Sequence, residues 1–290
     1  MIYTVRHSST VTYAAPVAQA QFNLRLVPWP WKGQVLRSYQ LSVDPEPDFR
    51  AETPGSYCVN TTLVSFAAPL EKLEVTSEFA IAVTPIDLPP DDPPAKAVRA
   101  AAYAVRDLSV MSPAPYLFAS RIAGIDERIG EWAAPCLDPE AGIIASARAV
   151  MAAVHEQFTY RAGSTTSATP PEAAFGAREG VCQDFAHIMI MALRAHGIPA
   201  AYASGYLRTL PPPGKPRLVG ADAMHAWVNV WCGEALGWVG FDPTNDCLAE
   251  GDHIQIGMGR DYADVSPIDG TFYGDAPHTM TSAVDVTLAE

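Results

Sequence analysis

The chain has 290 residues, of which 49% are hydrophobic and 18% charged, a balance that places it among soluble globular proteins and excludes disordered and fibrous classes. At about 150 residues per domain, the length suggests two domains. Nineteen Lys and Arg against 32 Asp and Glu leave a formal net charge of −13, which repels phosphate backbones and anionic bilayers, so neither nucleic acid nor a membrane is the expected partner.

From Ile2 to about Val83 the runs YTVRHSSTVTY, LRSYQLSVDP, TTLVSFAAP and LEVTSEFAIAV are separated by Pro, Gly, Asp and Asn and show no helical period. They predict a β-sandwich over residues 1–87. The chain opens on alternating polar and apolar residues, where a secretory signal would need a basic start and an apolar core. In PIDLPPDDPPAK, residues 85–96, the prolines crowd too closely for a helix or a central strand, and this marks the domain boundary. Residues 88–140 read as a Pro-rich linker and helical segment. Residues 141–290 read as a second domain with a C-terminal tail.

Beyond the boundary, KAVRAAAYAVRDL and AGIIASARAVMAAVHEQF space apolar residues by three and four and predict helices. A further helix, VCQDFAHIMIMALRAH, is punctuated by Gly180 before it and by Gly197 and Pro199 after it. AAYASGYLRTL, HAWVNVW and GWVGFDPT follow as aromatic and β-branched runs that predict antiparallel strands. The fold class is therefore α+β, a β-sandwich followed by a helix packed on an antiparallel sheet. No run reaches the roughly 18 uncharged apolar residues of a membrane span, since Arg194 and His196 interrupt IMIMALRAHGI.

The five cysteines, Cys58, Cys136, Cys182, Cys232 and Cys247, are odd in number, widely spaced and free of any C-x-x-C pair, which argues against a zinc site or a redox motif. A reducing compartment, and hence a cytoplasmic location, is expected. No metal and no organic cofactor are expected.

Cys182 falls at the predicted helix start, where unpaired backbone N–H groups carry about half a positive charge and favour thiolate over thiol. The competing reading is one more small buried hydrophobe. His225 opens the strand HAWVNVW and shares a face with Trp227 and Asn229; a core histidine would do the same. Asp242 ends the strand GWVGFD directly before Pro243, where an aspartate is also a good turn former. In combination, adjacent antiparallel strands place His225 beside Asp242 and leave the other ring nitrogen to face a thiolate. That is the nucleophile, base and orienter arrangement of amide chemistry, and the N–H of Cys182 with its helix neighbours would bind the developing oxyanion.

GVCQDFAH, GIPAAYASGYL, HAWVNVW and GWVGFDPTN resemble, in order and spacing, the Cys, His and Asp motifs of bacterial members of the transglutaminase-like superfamily, over about residues 155 to 246. The β-rich N-terminal region is similar, more loosely, to the β domain that accompanies many of them. The resemblance implies a papain-like core in which Cys182 attacks an amide carbonyl, forms a thioester and releases an amine. With water as acceptor the chain is a cysteine peptidase or amidase acting on a peptide or protein substrate, which is the first expectation. With a lysine amine it is a protein-glutamine transglutaminase. A non-catalytic peptide-binding module on the same fold is the alternative from another class.

The resemblance also suggests Tyr160, in FTYRAG, as a second oxyanion donor, with a packed tyrosine as the alternative. Trp227, together with Arg260, Asp261 and Tyr262 of the segment GRDYADVSP, is a candidate to line the cleft, with a solvated loop as the other reading of that segment. Asp184 and His187, at i+2 and i+5 from Cys182, read as structural polar groups, and His196 as a partner of the helix dipole. The identity of the substrate and the oligomeric state are left open.

Overall fold

The structure, a computed structural model, describes residues 1–209 and 224–289. Period-two alternation carries its first part. In β1 (Ile2–Leu24) the side chains of Tyr3, Val5, Val11 and Tyr13 are buried between exposed neighbours, as a strand with one face on a core requires. Four more strands follow: β2 (Gln34–Asp44), β3 (Phe49–Pro54), β4 (Asn60–Phe66) and β5 (Leu70–Val83). All are antiparallel to their neighbours, in the order β2, β5, β1, β4, β3.

The proline cluster ends this region, and helices take over as α1 (Ala95–Ala104), α2 (Glu127–Ala133) and α3 (Ile143–Gln157). The Asp126 carboxylate caps α2 by accepting from the N–H groups of Arg128 and Ile129. Next come β6 (Thr159–Tyr160), α4 (Pro171–Ala177), β7 (Glu179–Gly180) and α5 (Cys182–Ala195). Every residue of α5 from Asp184 to Arg194 is buried, so it is a central helix rather than a surface one. Arg194, which interrupts the apolar run, spends its guanidinium on the carbonyls of Ala200 and Arg260 and on the Ser120 hydroxyl. These bonds keep a buried cation satisfied.

Beneath α5 lies an antiparallel sheet of β8 (Ala200–Leu207), β9 (Met224–Trp231), β10 (Trp238–Asp242), β11 (Cys247–Leu248) and β12 (His253–Gly259), in the order β11, β10, β9, β8, β12. Of the run that predicted β8, Leu210 lies outside the described residues. On β9, Ala226, Val228 and Val230 join the core around α5, and alternation puts His225, Trp227 and Asn229 on the opposite face. The segment α1 to α2 packs into this same core through Val98, Ala102, Ile129 and Ala133.

A short helix α6 (Tyr262–Val265) leads to β13 (Ile268–Tyr273) and β14 (His278–Leu288), and here the expected domain limits need correction. The tail of residues 141–290 does not stay with the second domain. β14 pairs with the first half of β1, from Tyr3 opposite Leu288 to Tyr13 opposite His278, and β13 pairs with its second half. The register of β1 breaks between Thr12 and Val17, and Gln19 takes a φ of 49°. The strand thus folds over and serves two layers, between which Phe22, Leu24, Leu41, Phe66, Leu73 and Val75 pack. The sandwich is built from residues 2–83 and 268–288, with the helix-and-sheet core inserted between them. A buried chain of polar groups joins the two parts: Tyr206 of β8 meets His7 Nδ1 at 2.9 Å, and His7 Nε2 meets the Ser9 hydroxyl at 2.8 Å.

Candidate active site

Cys182 is the first residue of α5, after an extended Val181. The Val181 N–H donates to Asp184 Oδ2 at 2.8 Å, and the Thr165 hydroxyl donates to the same oxygen at 2.6 Å. Asp184 therefore caps the helix from its third position and ties the loop after β6 to the helix start. A Cβ at Gly180 would sit 2.7 Å from the Asp184 side chain, so this close approach needs glycine. His187, further along, is buried and accepts the Tyr262 N–H at Nε2, at 3.2 Å; burial lowers its pKa to about 4. Both residues hold structure.

β6 and β7 pair in parallel, with Tyr160 opposite Gly180. This sets Tyr160 at the rim beside Cys182. The ring is 53% exposed and meets Phe185 edge-on at 6.2 Å, which rules out the packed tyrosine of the alternative reading. Its hydroxyl has no hydrogen-bond partner among the described residues. Partial burial and the neighbouring Cys182 charge raise its pKa.

His225 Nε2 lies 2.7 Å from Asp242 Oδ2. A carboxylate oxygen only accepts, so the proton sits on Nε2 and Nδ1 is left for the other side of the ring. Cys182 lies near enough to the ring to strengthen its hold on a proton. Burial pushes the imidazole pKa down, but the bonds and charges of Asp242 and Cys182 more than reverse this and raise it to about 10.

Asp242 is fully buried and accepts five hydrogen bonds. Oδ1 takes the N–H groups of Thr244 at 2.9 Å and Asn245 at 3.2 Å. Oδ2 takes His225 Nε2 at 2.7 Å, Asn245 Nδ2 at 2.7 Å and His253 Nε2 at 2.9 Å. Burial opposes the charge, yet the donors outweigh it and hold the carboxyl far below the usual carboxylate range. The turn-forming role expected of this aspartate is present as well, in the two backbone bonds.

His253 and Asn245 were not among the expected site residues. His253 reaches Asp242 from β12 across the breadth of the sheet, passing over the Trp227 ring at a centroid distance of 5.3 Å. Gly205 makes room for that indole, since a Cβ there would lie 2.5 Å from the Trp227 ring and 2.1 Å from the Ile254 carbonyl. His225, Asp242 and His253 also offer three ligand atoms within 4.8 Å of one another, the set that would hold a divalent transition metal among the described residues. At 2.7 and 2.9 Å the N···O separations are those of charge-assisted hydrogen bonds. A cation there would have to displace both ring protons.

The remaining candidates separate. Trp227 is 2% exposed and walls a small cavity of about 80 Å³ behind the site, with Trp31, Asn229 and Gln255. Arg260 donates to Asp264 at 3.0 Å and lies over the Tyr57 ring of the sandwich at 4.8 Å, so it clasps the two parts of the molecule. Asp261 is 1% exposed; it caps α6 through the Ala263 N–H and accepts from the Ile122 N–H at 2.7 Å. It is a buried cap, neither cleft lining nor solvated loop. Tyr262, with Ala263 and Ser266 of that segment, faces an open groove of about 1030 Å³, beside Arg121, Thr169 and Glu172. Its ring also meets Tyr202 at 6.1 Å, while Cys182, His225 and Asp242 themselves do not line that groove.

The model of the transglutaminase-like superfamily matches residues 130–243, and that of the bacterial transglutaminase-like N-terminal region matches residues 3–82. An uncharacterized protein of Mycobacterium tuberculosis is 34% identical over 99% of this chain and 91% of its own length. One from Mycobacterium leprae is 31% identical over 98% and 97%. A protein-glutamine gamma-glutamyltransferase of Pseudomonas aeruginosa is 33% identical over 46% of this chain, a stretch that spans 20% of that enzyme. Among solved structures, a candidate cysteine protease from Cytophaga hutchinsonii shares the fold over 100% of this chain and 92% of its own, with a TM-score of 0.74 at 21% identity. With the sandwich, the inserted core and the motifs all matched in order, the chain belongs to the transglutaminase-like superfamily and carries its bacterial N-terminal region.

Proposed function

We propose that this chain is a thiol hydrolase that cleaves peptide or protein amide bonds through Cys182, His225 and Asp242. The observation that supports this best is the carboxylate bond from His225 Nε2 to Asp242, which leaves Nδ1 of the ring for the thiol. The thiol gives its proton to His225 Nδ1 as the sulfur attacks the carbonyl carbon. The helix-start N–H groups and the Tyr160 hydroxyl, which has no hydrogen-bond partner among the described residues, would receive the negative charge that develops on oxygen. Once the S–C bond forms, the thiolate no longer holds the proton on His225. The ring then gives that proton to the departing amine and next takes one from water, which releases the acid and restores the thiol.

The alternative acceptor is an amine, and the similarity to the Pseudomonas aeruginosa glutamyltransferase favours it. Transfer to a lysine requires water to be kept from the thioester, whereas Tyr160, beside Cys182, is 53% exposed to solvent. Hydrolysis is the first reading for that reason. Peptide-library profiling with mass detection separates the outcomes: cleavage, conversion of glutamine to glutamate, or mass addition of an amine. Absence of all three with wild-type protein, together with unselective alkylation of the cysteines, refutes the enzyme reading and leaves a peptide-binding module.

All five cysteines are unpaired, which suits the reducing compartment of the cytoplasm. No described helix is long and apolar enough to cross a membrane. Cell fractionation with a thiol-trapping reagent tests the cytoplasmic placement.

A further inference from the structure

The Asp242 carboxylate is shared between two histidines, and the catalytic scheme above uses only one of them. We infer that His253 is a positioning residue that limits how strongly Asp242 holds the proton of His225, and so sets the pH at which that ring works as a base. This rests on the proposed roles of Cys182, His225 and Asp242.

The accounting begins at the acceptor. A carboxylate offers about four lone-pair sites, and Asp242 receives five donors, three of them on Oδ2. Oδ2 is oversubscribed, so each donor there weakens the others. His253 Nε2 is 2.9 Å from that oxygen and His225 Nε2 is 2.7 Å from it. Since the oxygen can only accept, both rings present N–H to it. On its other side His253 packs against the Trp227 ring, and the Glu250 carbonyl, 3.2 Å from Nδ1, is an acceptor that this nitrogen can serve only when it carries a proton.

The charged and titratable groups around the pair are Cys182 of α5, Asp242 of β10, His253 of β12, Cys247 of β11, and Asp246 and Glu250 on the turns either side of β11. Of these, only His253 both touches the oxygen that His225 uses and competes for it as a donor. Taking His253 away frees electron density on Oδ2 for His225 and strengthens that bond. The imidazolium becomes harder to deprotonate, and the step that needs an uncharged ring slows at neutral pH.

The test follows the His225 ring directly in the full chain, by NMR titration of its Cε1–H, in wild type and in His253→Met and His253→Gln. Methionine removes the donor, whereas glutamine keeps one N–H at about the reach of Nε2. The His225 midpoint should rise in His253→Met by about half a pH unit or more, and kcat at neutral pH should fall about threefold in step with it while KM holds. His253→Gln should restore both. An unchanged or lowered midpoint in folded His253→Met overturns the inference, because a merely structural role would alter stability without moving the titration. Should His253→Met fail to fold, the wild-type ring ¹⁵N spectrum decides, since an unprotonated Nε2 on His253 at neutral pH would refute the competition. Failure of the underlying catalytic reading shows differently, as a Cys182→Ala variant that still turns over substrate.

Discussion

Asp242→Asn separates the two tasks of this aspartate. An amide keeps one oxygen and replaces the other with NH2, and the backbone N–H groups of Thr244 and Asn245 cannot become acceptors. The amide oxygen must therefore stay at the Oδ1 position, which puts NH2 against His225 Nε2, His253 Nε2 and Asn245 Nδ2. Both rings can respond by moving their proton to Nδ1. For His253 the change is easy, because the Glu250 carbonyl already faces that nitrogen. For His225 it places Nδ1–H against the sulfur, so the ring can no longer accept the thiol proton. The exposed Asn245 amide can turn to offer Oδ1 to the new NH2, so there only the charge assistance is lost, about 1 kcal/mol. Turnover should fall by about a hundredfold or more, at least roughly 3 kcal/mol of transition-state stabilisation, with KM little changed. Alkylation of Cys182 by iodoacetamide, followed by peptide mass mapping, should slow in parallel, and urea denaturation should report the stability loss. A variant with wild-type alkylation rate and wild-type turnover would refute the orienting role and leave only the turn.

Cys182→Ala should be inert while its thermal midpoint stays within about 2 °C, since a half-buried residue at the first turn contributes little packing; Cys232→Ala, in the buried core, should instead lower stability and spare the chemistry. Tyr160→Phe should lower kcat by roughly tenfold to a hundredfold without unfolding the chain if its free hydroxyl receives oxyanion charge, and unaltered kcat removes it from the scheme. The thermal midpoint should fall on both sides of neutrality. Burial lowers the His7 pKa from 6.5 to about 4, so its contribution is present above about 6.5 and is lost as pH falls through 4. His225 is raised to about 10, so its contribution is complete below 6.5 and is lost as pH rises through 10. His7→Gln should flatten the acid limb and His225→Gln the alkaline one, and limbs that survive the substitutions would assign them to other groups. Activity should be unaffected by a divalent-metal chelator, and loss that is restored by added zinc would instead support occupation of the His225, Asp242 and His253 set.

The parts of the site that lie on local signals were legible from the residues. Gly180 and Gly197 bracket α5, and period-two alternation puts His225 and Trp227 on one face. His253 was not legible, because its contact with Asp242 spans a sheet and passes Trp227, whose ring needs the absence of a side chain at Gly205. A missing side chain two strands away leaves no trace in a local pattern. Asp261 was misread for the opposite reason: its polar neighbours suggested exposure, while its N-cap geometry and the Ile122 N–H satisfy it in the interior. β13 and β14 were missed because what makes them strands is the free edges of β1, some 250 residues earlier in the chain.

That pairing has a bearing on how the molecule comes into being on the ribosome. The strands that complete the sandwich are synthesised only after the whole helix-and-sheet core, so β1 must wait, with one long edge exposed, while the residues between are made. An unpaired 23-residue strand is an invitation to pair with another chain. A fragment ending at residue 243, where the superfamily match stops, would keep Cys182, His225 and Asp242 yet leave that edge open for good, and it should be recovered as aggregate where the full chain is recovered as soluble protein.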